Sequence, residues 1–446
     1  MIKNRYRHNE SPIFICILVL IPLFFFLLYF NAWYGTFTRG DLRVIVQNTF
    51  LREWKHFPRI FTREYFLISG ETSYRPVVTI SYFIDYAICR LNPIGFHVTN
   101  VIFHTINSAL FYIFLRLIVR NKLVILLSLL FFVTHPILLE TVNVVAYRSD
   151  ILCALFLQIS LIYFIKADSI EINQKKRFAL YYTVSLIAYI CALFSKEMSI
   201  TLPALLPLLV IFSGQNIRQG MGRRLKGIYI GYMVIAVLFL VFRSFIIRSV
   251  EVKAAYLPRG FLPNVFTMVK ILASYVKLSF FPYNLHPDSI VHITKTPLEW
   301  AFMLSVAFLI SIFIIFTCLC KSRNIFAGWM AWFFITLLPV MNIIPIHTIM
   351  TDRYLYIPII GFCAAKGILI YRITDPTLST HAIKLRKVVQ FTLVIIMTIS
   401  YGFSIVRKQT YWTDNKLQDK KQAGIVNYDS SYQKERQVCI IRKIKE

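Results

Sequence analysis

The sequence predicts an all-α, polytopic membrane protein with about eleven transmembrane helices and a long first outer loop. Three observations carry this. Of 446 residues, 57% are apolar and only 16% charged. Apolar runs of roughly 18 or more residues, the length a helix needs to cross a bilayer, recur from end to end. Basic residues gather in the short segments between those runs, as the positive-inside rule requires.

The first run, 13–33, follows Lys3, Arg5 and Arg7. It is longer than a signal-peptide core and no small-residue cleavage site follows, so it reads as an uncleaved first span. A polar segment, 34–91, comes next; within it 77–88 mixes apolar and polar residues in the manner of an interfacial helix. Spans are expected at 95–119, 122–133, 150–166, 178–194, 200–213 and 228–247. Basic loops at 116–122, 166–177 and 218–226 place one face in the cytoplasm. Segments 34–91, 135–149, 196–197 and 248–259 then share the opposite, outer face. The run 261–281 carries Lys270 and Lys277. Treating it as re-entrant or interfacial keeps Lys321 and Arg323 cytoplasmic, and the remaining spans are 298–320, 325–341, 354–371 and 388–406. Two units follow: a membrane domain, 1–406, and a polar, basic tail, 407–446.

The net charge of +28 is distributed over these loops, which argues against nucleic acid as a partner. The eight cysteines form no CxxC pair, and most lie in apolar runs, where thiols act as small hydrophobes. No His/Asp/Glu spacing matches a metal site, and neither a Ser-His-Asp arrangement nor a phosphate-binding glycine loop is present. No cofactor is therefore expected, with a divalent cation left open.

What stands out is THPILLETVNVVAYRSDIL (134–152), charged between two apolar runs. With other outer segments it collects Asp41, Arg75, His135, Glu140, Arg148, Asp150, Lys196, Glu197, Asp352 and Arg353 on one face, while the middles of the spans are nearly free of charge. A transporter would place charges mid-span. A transferase using a membrane-bound, phosphate-linked donor needs this mixture: a carboxylate to deprotonate an acceptor hydroxyl, and Arg or Lys to hold the departing phosphate. Several of these residues also have a plainer use, and Asp41 suits an ordinary loop acid. Glu140 and Arg148, two helical turns apart, suit an ion pair; Lys196 suits a snorkelling chain; Arg353 suits an interface anchor; His135, before Pro136, suits a helix cap.

The segments TFTRGDLRVIVQN (36–48), WKHFPRIFT (54–62), YRPVVTISYFIDYAICRLNPIGFHVTNVIFHTINSALF (74–111), HPILLETVNVVAYRSDIL (135–152), SKEMSITLP (195–203), FFPYNL (280–285) and NIIPIHTIMTDRYLYIPIIGF (342–362) carry a resemblance. In this order they resemble the membrane portion of the transmembrane and tetratricopeptide-repeat-containing proteins, a group similar to protein O-mannosyltransferases in the GT-C glycosyltransferase superfamily. The resemblance implies a GT-C-type fold and a polyprenyl-phosphate sugar donor, mannose in the best-known members. It implies inverting transfer to a hydroxyl, usually of protein Ser or Thr, with a protein or lipid acceptor and membrane lipids as partners.

In family terms Asp41 is the acid of the first loop and Glu140 helps build the outer site. Arg75, Arg148, Lys196 and Arg353 are donor-phosphate candidates, supported by His135, Asp150, Glu197 and Asp352. The chain departs from the pattern at Gly40, where the family has a first acid of an adjacent pair, and at Leu138, where it has a histidine. The tail from Tyr411-Trp412 looks like the approach to tetratricopeptide repeats. The expected location is a multi-pass position in a bacterial inner membrane rather than the endoplasmic reticulum. The alternative function is a catalytically impaired relative that serves as a scaffold or lipid-phosphate binder.

Overall fold

The computed structural model describes residues 36–62, 65, 74–170, 173–212, 221–247, 260–283, 285, 292–321, 325–343, 346, 348–372 and 381–413. The expected first span, 13–33, and most of the tail lie outside them. Among the described residues the regular structure is helical. The helices are α1 (Pro76–Cys89), α2 (Pro93–Ile118), α3 (Lys122–Val133), α4 (Arg148–Asp168), α5 (Lys175–Ser195) and α6 (Leu202–Phe212). They continue as α7 (Met221–Ile247), α8 (Phe261–Phe280), α9 (Trp300–Lys321), α10 (Ile325–Leu337), α11 (Pro358–Arg372) and α12 (His381–Thr413). The last helix thus runs past the expected end of the membrane domain at 406.

Local chemistry sets the boundaries. Asn92 caps α2 by accepting from the Ile94 amide, and Pro93, lacking an N–H, fits its first turn. Asn121 caps α3 through the amides of Leu123 and Val124. Pro136 cannot continue α3, so the chain breaks at His135 and resumes as a short helix, the two pieces bent by 43°. Seven helices among the described residues are long and apolar enough to cross a membrane, or eight if that bent pair is one span. The shorter apolar helices, Pro76–Cys89, Glu197–Phe212 and Ile325–Val340, fall below that length, as does α11.

Burial separates the centre from the lipid-facing rim. The apolar window of α4 is 78% buried, whereas that of α9 is 0% buried. The helix α4 packs on α5, where Ser160 and Ser185 exchange hydrogen bonds and Tyr232 of α7 joins them at 2.6 Å. Small polar residues serve here because lipid tails supply no hydrophobic drive between helices. Glycine does the same at α11. A Cβ on Gly361 would meet the Trp332 ring at 2.5 Å and the Trp329 carbonyl at 2.7 Å, and one on Gly367 would collide with Ser128 of α3. Gly361→Ala is expected to lower stability by about 1–3 kcal/mol through overpacking, read as a lower melting temperature of the purified protein. An unchanged melting temperature would show that α10 and α11 are not held this closely.

The ends of α3, α5, α7 and α10 and the starts of α4, α6 and α11 share one end of the bundle, the outer end. The helix α8 is long enough to cross, yet its contacts keep it at this end. Asn264 near its start bonds the backbone and side chain of Asn342, Tyr275 bonds Thr351, and the Ser279 carbonyl near its end meets His135. Positions 264 and 279 are about 22 Å apart along a helix, so a crossing helix could not reach outer-end segments with both. This geometry is that of the interfacial alternative. The 77–88 stretch is likewise a helix, α1, packed at the outer end against Phe50, Trp54 and Phe57 through Phe83.

One residue departs from the expectation of charge-free span interiors. Lys366 of α11 is buried, donates to the Tyr401 hydroxyl of α12 at 2.6 Å, and lies over the Phe131 ring. Its long stem hides in an apolar run whose average hydropathy masks a single cation.

Candidate functional site

The first outer segment folds as a helical turn, Arg39–Asp41, that runs into Leu42–Val46. Asp41 is fully buried beneath it. Its Oδ1 accepts from the Ala146 amide at 2.6 Å, and its Oδ2 from the Thr38 amide at 2.9 Å and hydroxyl at 2.8 Å. Asp41 therefore fastens the first loop to the turn that precedes α4. Burial pushes its carboxyl up from 3.8 to about 6, against the opposing pull of Ala146, Thr38 and Arg148. The folded value lies above the unfolded one, so protonation favours folding. Asp41's own contribution is complete below about pH 3.8 and is lost as the pH rises through about 6. Gly40, beside it, is exposed.

Arg148 opens α4 and is completely buried. Its guanidinium meets Asp85 of α1 at 2.6 Å, Asn100 of α2 at 2.7 Å, the Phe96 carbonyl at 3.0 Å and Ser81 at 3.2 Å, and faces the Tyr82 ring. Arg148 ties three helices together, and its ion-pair partner is Asp85 rather than Glu140. Glu140 accepts from the Thr351 hydroxyl at 2.9 Å and the Arg353 amide at 3.1 Å, anchoring the segment before α11 to the segment after α3. His135 caps the turn at Pro136 by accepting from the Ile137 amide through Nδ1, while Nε2 donates to the Ser279 carbonyl. The plainer reading of that histidine is the one the geometry displays.

The remaining candidates converge. Lys196, at the end of α5, is buried with its ammonium on Asp150 at 2.5 Å and over the Tyr354 ring. The Arg353 guanidinium lies 3.9 Å from the centre of the Tyr147 ring. Arg75 reaches Ser149 and Glu197, both at 3.3 Å. Glu197 also pairs at 3.1 Å with Arg243 of α7. Burial works to raise the Glu197 carboxyl, but Arg75 and Arg243 outweigh it and hold the group well below the usual carboxylate range. Lys196 is close enough to Arg75 and Arg353 to feel both charges. Asp352 is buried in the same turn as Arg353.

The structure thus brings Arg75, Lys196, Arg353, Asp150 and Glu197 into one cation-rich cluster, with Glu140 and Asp352 on the Arg353 side. It closes Arg148 and His135 inside the framework. Sequence reasoning missed Arg243, Asp85, Tyr147 and Tyr354. Arg243 sits near the end of an apolar run, where an arginine reads as an ordinary anchor. Only the position of α7 reveals its partner. Among the described residues no group of three or more His, Cys, Asp or Glu side chains is arranged to hold a metal ion.

No family model matches the chain. Human protein O-mannosyl-transferase TMTC2 is 29% identical over 182 residues, covering 40% of this chain and 22% of that protein. Human protein O-mannosyl-transferase TMTC3 is 31% identical over 133 residues, 29% of this chain and 14% of that protein. A Caenorhabditis elegans protein O-mannosyl-transferase, F38B6.6, is 27% identical over 181 residues, 39% of this chain and 25% of that protein. The matched part of the chain thus spans a quarter or less of the length of these relatives. The crystal structure of the Archaeoglobus fulgidus oligosaccharyltransferase, tethered to an acceptor peptide, superposes with a TM-score of 0.50 at 12% identity, covering 90% of this chain and 56% of that one. That likeness defines the class: a polytopic helical membrane protein with the GT-C type of fold. Within it the chain is TMTC-like, a relative in sequence of the protein O-mannosyl-transferases.

Proposed function

We propose that the chain is an integral-membrane glycosyltransferase. It binds a polyprenyl-phosphate-linked sugar, mannose by similarity, at the outer end and passes the sugar to a hydroxyl of a protein or lipid acceptor. The observation that carries this is the convergence of Arg75, Lys196 and Arg353 on one outer-end cluster, suited to a departing phosphate. The likeness to protein O-mannosyl-transferases supports the reaction class. In this reading Asp41 takes the acceptor proton, and its carboxyl near 6 matches the requirement that a base be ionised yet still basic at neutral pH. The outer end faces the periplasm of a bacterial inner membrane, which fractionation and protease accessibility test.

The test is sugar transfer by the purified protein from a polyprenyl-phosphate mannose donor. Asp41→Asn is expected to cut transfer by about 100-fold or more. The wild-type rate is expected to fall as the pH drops through about 6, as Asp41 protonates. A rate that is flat across that range, or activity surviving in Asp41→Asn, would remove Asp41 as the base.

A second reading is favoured by one observation: Asp41 is fully buried and already bonded by three donors, and exposed position 40 carries no acid. The chain is then a lipid-phosphate binder without a competent base. Donor binding without turnover in the same assay selects it.

A further inference from the structure

A crevice lies at the end of the bundle opposite the charged outer end. It is formed by the last turns of α2 and α6 and the first turn of α10, with Ile118, Leu208, Phe212, Ile325, Trp329 and Trp332 in its walls. Ile118 and Phe212 are the last residues of their helices, and Ile325 is the first of its own. Trp329 follows Ile325 by four residues, about 6 Å along the helix. The crevice is thus within about one turn of three helix ends, the depth at which acyl chains meet headgroups. Ile118, Leu208, Phe212 and Ile325 are only half-buried, so its rim is open.

The two tryptophans carry the only polar side-chain atoms of this lining. The Trp332 N–H is satisfied, donating to the Ile357 carbonyl at 3.1 Å, as buried indoles usually are. The Trp329 N–H is buried and has no acceptor among the described residues. Its ring packs on Phe114 of α2 at 5.8 Å and on Trp332 at 6.0 Å. A buried donor left bare carries a free-energy cost that an acceptor brought by a ligand removes. Arg120 follows Ile118 by two residues, is exposed, and has no acidic partner among the described residues. From the inside outward, the site offers an apolar crevice, a bare N–H and a cation. A glycerophospholipid presents their counterparts in the same order: acyl chain, ester carbonyl and phosphate. A membrane helix fits less well, because its backbone carbonyls are already bonded within the helix.

We propose that this crevice binds one glycerophospholipid of the adjacent leaflet, with an acyl chain between α2, α6 and α10, an ester carbonyl on the Trp329 N–H and the headgroup phosphate on Arg120. The lipid joins three helix ends and stands apart from the proposed transfer reaction.

The test is native mass spectrometry of the purified, delipidated full chain in detergent, with the melting temperature of each variant recorded. The probes are dioleoyl phosphatidylglycerol and its dialkyl ether analogue, which lacks the ester carbonyls. Wild type is expected to take up one molecule saturably and to hold the ester lipid roughly fivefold more tightly than the ether. Trp329→Phe keeps a ring and loses the donor, and is expected to bind both lipids equally, at the ether level. Leu208→Trp, which fills the crevice, is expected to lose both. Arg120→Gln is expected to weaken both about threefold. The site is overturned if wild type holds the two lipids equally, if Trp329→Phe keeps the ester preference, or if Leu208→Trp binds as wild type does. Unchanged binding by Arg120→Gln overturns the headgroup contact. A dimer that survives delipidation and excludes the lipid overturns the site in favour of a second copy of the chain. Should Trp329→Phe or Leu208→Trp fail to fold, the ester and ether comparison on wild type and Arg120→Gln still decides.

Discussion

Arg148→Met is expected to destabilise the protein by roughly 3–5 kcal/mol, because it leaves the Asp85 carboxylate buried without its counter-ion. Loss of the guanidinium also strips Asn100, Ser81 and the Phe96 carbonyl of a donor, and each buried acceptor left bare adds to the cost. Arg148→Lys is expected to recover little, since one ammonium cannot address acceptors on three helices in a fixed fork. The double change Arg148→Met with Asp85→Leu is expected to regain much of the loss, because removing both charges removes the desolvation problem. Folded yield and melting temperature of the three variants measure this. A stable Arg148→Met protein with impaired donor binding would instead return Arg148 to the phosphate site that the family resemblance implies for it.

Gly40→Asp is expected to fold as wild type does and to raise sugar transfer at least about tenfold. The space exists: a Cβ at this position would lie 3.6 Å from the Ala146 side chain and 3.9 Å from the Thr38 hydroxyl, ordinary contact distances. Position 40 is not among the glycines with positive φ, so a side chain brings no backbone strain there. Exposure is the reason for the gain. Position 40 is exposed, whereas the Asp41 carboxylate is buried and already bonded to Thr38 and Ala146. Transfer assays on wild type, Gly40→Asp and Asp41→Asn separate the two positions. Turnover in Gly40→Asp no higher than in wild type would show that the first loop does not present position 40 to the acceptor.

Much of the architecture was legible in the chain because membrane helices announce themselves by length and apolarity. The helices at 93–118, 148–168, 175–195 and 221–247 follow the expected spans closely, since a bilayer requires that nearly every crossing residue be apolar. The break at His135-Pro136 was legible too, because proline cannot continue a helix. The outer face as the place where charge collects followed from loop parity and the positive-inside rule.

Which charges face a ligand and which are spent on the framework depended on the packing. Arg148 stands at the start of an apolar helix and Arg243 near the end of one. One is sealed among α1, α2 and α4 against Asp85, and the other stands half-open beside Glu197 at the lipid-facing surface. Asp85 lies 63 positions before Arg148, and Glu197 lies 46 before Arg243, so no local pattern pairs them. For α8, apolarity and length permit crossing, and only its contacts with Asn342, Thr351 and His135 hold it at the outer end. The sequence by itself determined a helical membrane bundle with a charged outer face, because hydrophobic length is a property of each segment alone. The division of that face into framework and candidate site came from the tertiary structure, because burial and ion pairing are properties of pairs of segments brought together.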